Sequence, residues 1–113
     1  MERAKPIELT NNETGKKYII DFNRDVVRRA ERNGFSPNEC EKYPSKLADL
    51  WYYGFLMHHE REISRKITDA LLDDLGGIAG CPDGLFERLG ELYWQTYKTL
   101  DDSEKNGRVT VAF

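Results

Sequence analysis

The sequence predicts an α+β domain in which an N-terminal β-hairpin, with a short C-terminal strand as an optional addition, packs on a bundle of about four mostly antiparallel helices. Two short segments near the start have strand-like patterns and flank a cluster of turn residues. The chain that follows has helical periodicity to about residue 100. A length of 113 residues suits one domain with a modest core. We therefore expect a single domain over residues 1–100 and a flexible tail or added strand over residues 101–113.

The predicted hairpin consists of residues 5–10 and 17–22. Apolar and polar side chains alternate in the first segment, and the second is rich in aromatic and β-branched residues. Residues 11–15, Asn-Asn-Glu-Thr-Gly, form the turn between them. A lone two-stranded hairpin is marginally stable in water, so its apolar face must lie on helices. Its outer edges are candidates for pairing with another chain.

A first helix is predicted to end at Asn33, with Asp21 or Asn23 as its N-terminal cap. Gly34 suits the left-handed position that closes a helix. The helix is amphipathic, with apolar residues on the core side and a basic stripe on the opposite side. The basic stripe contains Arg24, Arg28 and Arg32. Such a stripe is a solvated face, or it contacts an acidic protein surface or nucleic acid.

Residues 46–75 contain no proline and are interpreted as one long helix or as two. The first part is apolar on nearly every side, which is typical of a helix in the middle of a domain, and Trp51 is expected in the core. The predicted inner stripe of the second part consists of Ile63, Ile67, Ala70 and Leu71. One continuous helix would be about 45 Å long, more than the width of such a domain. The segment therefore either bends near His58 and His59 or projects toward a neighbouring chain.

A last helix is predicted over residues 84–100, with Asp83 as its cap, after a glycine-rich linker that begins at Gly76. Its predicted inner stripe consists of Leu85, Leu89, Leu92, Tyr93, Thr96, Tyr97 and Leu100. Trp94 falls on the other side of the helix. Tryptophan is enriched in interface hot spots, so Trp94 is either part of the core or a contact for another protein.

The segment after residue 107 alternates apolar and polar side chains. It can supply a third strand or form an exposed arm that adds a strand to a neighbour's sheet. Val109, Val111 and Phe113 are its candidate contact residues. Together with the open hairpin edge, this tail predicts self-association into rings or small oligomers.

The sequence predicts neither a catalytic site nor a metal or cofactor site. His58 and Glu62 are spaced to share one helix face, but two ligands do not make a zinc site and no His-Glu-x-x-His order is present. Cys40 and Cys81 belong to no Cys-x-x-Cys pair and are expected to be reduced thiols. The glycines near residue 76 do not indicate a phosphate-binding loop, because no Gly-Lys-Ser/Thr follows them. A non-enzymatic protein is therefore expected.

The charge distribution argues mildly against a nucleic-acid-binding protein. The formal net charge is −3; residues 1–46 hold ten basic and eight acidic side chains, and residues 47–113 hold seven and twelve. A nucleic-acid-binding domain more often has a strongly basic balance. A small phage or bacterial regulator that uses the basic helix face on nucleic acid remains the alternative function.

The sequence contains no apolar run long enough for a transmembrane helix or a secretory signal. No membrane partner is therefore expected. The protein is expected to be cytoplasmic.

The order of the predicted elements allows comparison with a known family. A hairpin containing residues 16–23 leads directly into a short helix that ends near Gly34, and the apolar helix of residues 47–55 follows. This layout resembles the tail assembly chaperones of long-tailed bacteriophages, which are small acidic α+β proteins encoded just before the tape-measure protein. The resemblance spans roughly residues 5–100 and depends on layout and hydrophobic texture.

The resemblance implies a protein that binds the tape-measure protein, keeps it soluble and helps tail-tube subunits polymerise around it. It also implies that the protein has no cofactor, acts in the host cytoplasm, is absent from the finished virion and often has a longer companion made by frameshifting. A tape-measure chain is long, helical and apolar. A chaperone that holds it needs exposed apolar grooves and open strand edges, which this sequence offers.

Overall fold

The fold follows the predicted order of a hairpin and then helices. A computed structural model describes residues 3–40, 42–102 and 106–113. The strands are β1 (Ile7–Thr10) and β2 (Lys17–Ile20). The helices are α1 (Arg24–Arg32), α2 (Ser45–His59), α3 (Arg65–Asp74), α4 (Gly77–Gly80) and α5 (Leu85–Asp101), and a 3-10 turn lies at Pro37–Glu39. The predicted α+β class is confirmed.

The hairpin is antiparallel, with Ile7 opposite Ile20 and Leu9 opposite Tyr18. These four side chains share the face that packs on the helices; those of β2 are buried and those of β1 are half-buried. β2 lies directly against α2, and β1 is the outer strand. The predicted apolar face of the hairpin therefore covers the helical core.

Gly54 allows α2 to pass close to β2. A Cβ atom at Gly54 would lie 2.5 Å from Cγ2 of the fully buried Ile20. The carbonyl oxygen of Gly54 accepts a hydrogen bond from the backbone N–H of Asp21 at 3.0 Å. Glycine weakens a helix interior, but here the close approach of helix and strand requires it.

The ends of α1 follow local sequence chemistry. The side chain of Asn23 accepts a hydrogen bond from the backbone N–H of Val26 at 2.9 Å, so Asn23 and not Asp21 caps the helix. Gly34 has a φ of 85° and directly follows Asn33, the C-terminal cap residue of α1, as predicted. The inner side of α1 packs in the core through Val27 and its neighbours.

Trp51 is fully buried, as the sequence predicts. Its indole Nε1 donates a hydrogen bond to the backbone carbonyl of Thr68 at 2.8 Å, which joins α2 to α3. Its ring meets that of Phe55 edge to face, with centroids 5.0 Å apart. Trp51 therefore both fills the centre of the core and fixes the position of α3.

Residues 46–75 form two helices and not one. α2 ends at His59, and α3 begins at Arg65. The hydroxyl of Ser64 caps α3 by accepting a hydrogen bond from the backbone N–H of Ile67 at 3.3 Å. The segment therefore breaks beside the predicted bend and does not project as a single rod.

The predicted inner stripe of α3 is partly wrong. Ile67 and Ala70 are exposed, whereas Thr68 is buried together with Leu71. Residues 60–64 interrupt the helix, so α3 is oriented independently of α2. The hydrogen bond from Trp51 to Thr68, and not the hydrophobic periodicity, sets which side of α3 faces the core.

α5 contains the predicted last helix, but its predicted cap is wrong. Gly84, with a φ of 87°, occupies the cap position and offers no side chain, so the role does not fall to Asp83. The buried residues of α5 are Leu89, Leu92, Tyr93 and Thr96. Leu100, in the last turn, is exposed although it was predicted to face inward. Within the predicted glycine-rich linker, residues 77–80 form α4.

The tail does not join the sheet of its own chain. Within the described residues the sheet has two strands, so the optional third strand is not formed. Residues 106–113 belong to no helix or strand and are all exposed. The predicted boundary of residues 101–113 includes residues 103–105, which lie outside the described part.

Candidate protein-interaction surfaces

An aromatic surface lies on the outer side of α5. Trp94 is 40% exposed, and its ring meets the half-buried Tyr97 edge to face with centroids 5.2 Å apart. Leu100 lies three residues further along and is also exposed. We call Trp94, Tyr97 and Leu100 the α5 surface. It offers a rigid apolar contact for another chain.

The predicted basic stripe of α1 is largely engaged within the chain. Arg24 donates two hydrogen bonds to Thr99, one to the hydroxyl at 2.9 Å and one to the backbone carbonyl at 2.8 Å. It thereby satisfies a carbonyl in the last turn of α5, where cations are favoured. Arg28 pairs with Asp25 at 3.4 Å on the same helix.

Arg32 is the third predicted residue of the stripe and is exposed, next to the acidic Glu31. The three predicted arginines therefore do not form one continuous basic face, because Arg24 faces α5 and carboxylates lie beside the other two. Non-specific nucleic-acid binding depends on several basic side chains that contact phosphates together, and these three arginines are not arranged in that way.

The outer edge of β2 is partly closed by α2. The backbone N–H of Ile19 donates a hydrogen bond to Nε2 of His59 at 2.9 Å. The other ring nitrogen of His59, Nδ1, contacts the Glu62 carboxylate, which also binds the Lys16 ammonium. The sequence indicated a contact between His58 and Glu62, but the helix ends at His59, so the spacing of a continuous helix does not apply.

The cluster of Lys16, His59 and Glu62 shifts the pKa values of Glu62 and Lys16. The pKa of Glu62 lies below its usual range. The hydrogen bond from Lys16 is the largest cause, and the hydrogen bond from His59 is the second largest. The same hydrogen bond to Glu62 raises the pKa of Lys16. The cluster therefore favours the charged carboxylate and ammonium, and it fixes the hairpin to the end of α2.

The outer edge of β1 is open. β1 and β2 alternate the direction of their backbone groups, as any antiparallel pair does. Since Ile19 directs its N–H toward α2, the opposite residue Glu8 directs its backbone groups away from β2, and Thr10 does the same. These groups have no hydrogen-bond partner in residues 3–40, 42–102 and 106–113.

A groove of about 330 Å³ lies between β1 and α3. Its apolar lining comes from Leu9, Leu71 and Leu75, and Glu13 and Asp74 add negative charge. The sequence pattern does not indicate this groove. The amphipathic pattern of α3 was the available signal, but the side of α3 that faces the hairpin depends on tertiary packing.

The predicted contact residues of the tail are presented to solvent. Val109 is 87% exposed, Val111 is 71% exposed, and Phe113 is fully exposed. Burial of apolar surface away from water contributes a stabilising free energy of about 25 cal/mol per Å². The tail is therefore a second apolar surface, separate from the α5 surface.

The buried Tyr93 and the partly buried Cys40 have raised pKa values. Burial first, and the Glu31 carboxylate second, raise the pKa of Tyr93 to about 12. The Tyr93 hydroxyl is buried and has no hydrogen-bond partner among the described residues. Burial also raises the pKa of the Cys40 thiol, which disfavours the reactive thiolate.

Over the described ranges, no group of three or more His, Cys, Asp or Glu side chains is placed to hold a metal ion. Nor does any helix in this part of the chain have the length and apolar character needed to cross a membrane. The fold and its surfaces define a small α+β protein that presents apolar side chains on α5, beside β1 and on its tail.

The chain belongs to the family described as Domain of unknown function (DUF5055), which matches residues 3–113. No curated protein matches the chain, and no solved structure matches it.

Proposed function

We propose that this protein is a non-enzymatic tail assembly chaperone of a long-tailed bacteriophage. In this role it binds the tape-measure protein, keeps that chain soluble and assists assembly of the tail tube. Under the proposal the protein acts in the host-cell cytoplasm and leaves no copy in the mature virion. The layout of hairpin and helices supports the proposal by analogy with that family.

The observation that carries the proposal is the aromatic pair on α5, in which Trp94 is exposed and Tyr97 is half-buried. Trp94 and Tyr97 meet edge to face on a helix that is anchored in the core by Leu89 and Leu92. A rigid aromatic pair on a helix suits the apolar side of a helical partner, because it loses little conformational entropy on binding. A long, apolar, helical tape-measure chain is a partner of this kind.

The experiment is co-expression with the tape-measure protein of the same genome. The wild-type protein is expected to raise the soluble fraction of that partner and to co-elute with it. Trp94→Ala is expected to reduce both effects. Ile67→Ala is the matched control, because Ile67 is also 40% exposed but lies on α3.

Two outcomes would refute the proposal or its surface. If the wild-type protein neither solubilises the tape-measure protein nor elutes with it, the proposed function fails. If Trp94→Ala and Ile67→Ala weaken the complex equally, the α5 surface is not the binding site. Circular dichroism of each variant separates lost binding from lost folding.

The alternative function, a regulator that binds nucleic acid, has less support. Arg24 is bound to Thr99, and Arg28 is paired with Asp25. Binding to DNA or RNA that weakens with salt and is lost in Arg28→Glu would favour this alternative. Absence of binding at low salt would remove it.

A further inference from the structure

We propose that residues 108–113 of a second copy of this chain add as a third strand along the outer edge of β1. The inference concerns self-assembly and does not depend on the proposed function. It combines an open strand edge, a groove beside that edge and an exposed tail of matching pattern.

Of the two hairpin edges in the described residues, the β1 edge is the more open to pairing. On β2, the backbone N–H groups of Ile19 and Asp21 are bound to α2 through His59 and Gly54. On β1, the outward backbone groups at Glu8 and Thr10 remain without a partner there. An open edge of this kind is a template for another strand.

The chain just before β1 is held in place, and this helps to preform the edge. The backbone N–H of Ala4 donates to the side-chain oxygen of Gln95 at 2.8 Å, and the Gln95 amide donates back to the Ala4 carbonyl at 3.2 Å. Arg88 donates to the carbonyl of Lys5 at 3.3 Å. A preformed edge lowers the entropy cost of adding a strand.

The groove beside β1 suits one face of the tail. In an extended segment, alternate side chains point to the same face, so Val109, Val111 and Phe113 would lie together. On the edge of β1, that face would cover the apolar lining formed by Leu9 and Leu71. Six residues extend about 20 Å, enough to pair along the four residues of β1.

Charge also fits this occupant. Glu13 and Asp74 line the groove, and Glu8 lies on the edge strand itself. Arg108 begins the apolar segment of the tail. Because Arg108 alternates with Val109, it would lie on the sheet face opposite the groove, which is also the face of Glu8, and an opposite-charge pair there favours this tail over an acidic strand.

The donor is a second copy because the tail of the same chain stands away from the edge. Residues 106–113 are exposed, and the tail follows the end of α5. Tail-to-edge pairing between copies is heterologous, so it closes into a ring or continues as a chain.

The test is the molar mass of the full chain, measured by light scattering over a range of concentrations without any tape-measure protein. The wild-type protein is expected to exceed the monomer mass of 13.2 kDa at high concentration. Val111→Asp, which places a charge on the groove face, is expected to restore the monomer. Thr110→Asp is the control on the opposite face of the same segment and is expected to assemble like the wild type.

A second variant addresses the acceptor edge. Glu8→Pro removes an outward N–H and is compatible with edge strands, so it is expected to block assembly while retaining the native circular dichroism spectrum. If that variant does not fold, a synthetic peptide of residues 106–113 tests the same edge by competing with the tail and lowering the wild-type mass.

Three results would overturn the inference. The first is a wild-type protein that stays monomeric at its highest soluble concentration. The second is assembly that persists in Val111→Asp or is lost equally in Thr110→Asp. The third is assembly that neither an edge variant that folds nor the peptide reduces. None of these results bears on tape-measure binding, so failure here is distinguishable from failure of the proposed function.

Discussion

His59 lies at one edge of the hairpin, where its Nε2 atom accepts a hydrogen bond from the backbone N–H of Ile19 at 2.9 Å. Because Nε2 is the acceptor, Nδ1 carries the ring proton and donates it toward Glu62. One side chain at the end of α2 therefore protects β2 and leaves β1 as the open edge. This asymmetry makes β1 the side of the hairpin on which another strand pairs more readily.

His59→Ala is expected to expose the Ile19 amide and to speed its hydrogen exchange. The loss of one such hydrogen bond lowers the free energy of unfolding by about 1 kcal/mol. His58→Ala is the control, because it changes the adjacent ring without removing the acceptor of the Ile19 N–H. Unchanged exchange at Ile19 in His59→Ala would contradict the role given to this ring.

Stability is expected to fall in acid through Glu62. Hydrogen bonds from Lys16 and His59 lower its pKa from the usual value of 4.5, so the folded state binds a proton less readily than the unfolded chain. The contribution is therefore present above pH 4.5 and is lost as the pH falls through the lowered pKa. Urea unfolding of wild type and Glu62→Gln across this pH range measures the effect.

The Glu62→Gln variant should show a weaker loss of stability on the acid side, because glutamine does not titrate. At neutral pH it should be the less stable of the two. Identical pH profiles for the two proteins would show that the cluster of Lys16, His59 and Glu62 does not contribute to stability.

Gly54→Ala is expected to destabilise the protein although alanine favours helices. The new Cβ would lie 2.5 Å from Cγ2 of Ile20, and overpacking of this kind costs about 1–3 kcal/mol. Gly90→Ala is the control within α5, where a Cβ would meet nothing within 4 Å. It is expected to stabilise by about 0.5–1 kcal/mol. Equal and stabilising effects at both positions would contradict the packing of α2 on β2.

Tyr93→Phe is expected to raise the free energy of unfolding by about 1 kcal/mol. The variant removes a buried hydroxyl that has no partner among the described residues, and such groups cost stability. Tyr53→Phe is the control, because the Tyr53 hydroxyl accepts a hydrogen bond from the Asn33 amide at 3.3 Å. Thermal unfolding compares the two, and a Tyr93→Phe variant less stable than Tyr53→Phe would argue against an unsatisfied hydroxyl.

The parts of the fold that could be predicted are those set by neighbouring residues. The strand pattern and turn cluster predict the hairpin, and the amide of Asn23 and the left-handed Gly34 set the ends of α1. The side of α3 that is buried could not be predicted, because the hydrogen bond from Trp51 to Thr68 decides it. The need for Gly54 could not be predicted either, since it arises from the distance between α2 and β2.

The candidate surfaces divide in the same way. The sequence places Trp94 away from the predicted apolar stripe of α5 and allows the tail to be an exposed arm, and the structure exposes Trp94 and Val111. The engagement of Arg24 by Thr99 and the groove beside Leu9 join residues far apart in sequence. Helical and strand periodicity carries no information about such pairs.

Under the proposed function, this protein completes its apolar burial by holding a tape-measure chain. The most direct measurement is the mass and composition of the species obtained when the two proteins of one genome are expressed together and purified. We predict a soluble complex that contains both chains and that loses the tape-measure protein in Trp94→Ala but not in Ile67→Ala. A tape-measure protein that stays insoluble, with the wild-type protein eluting alone, would contradict it.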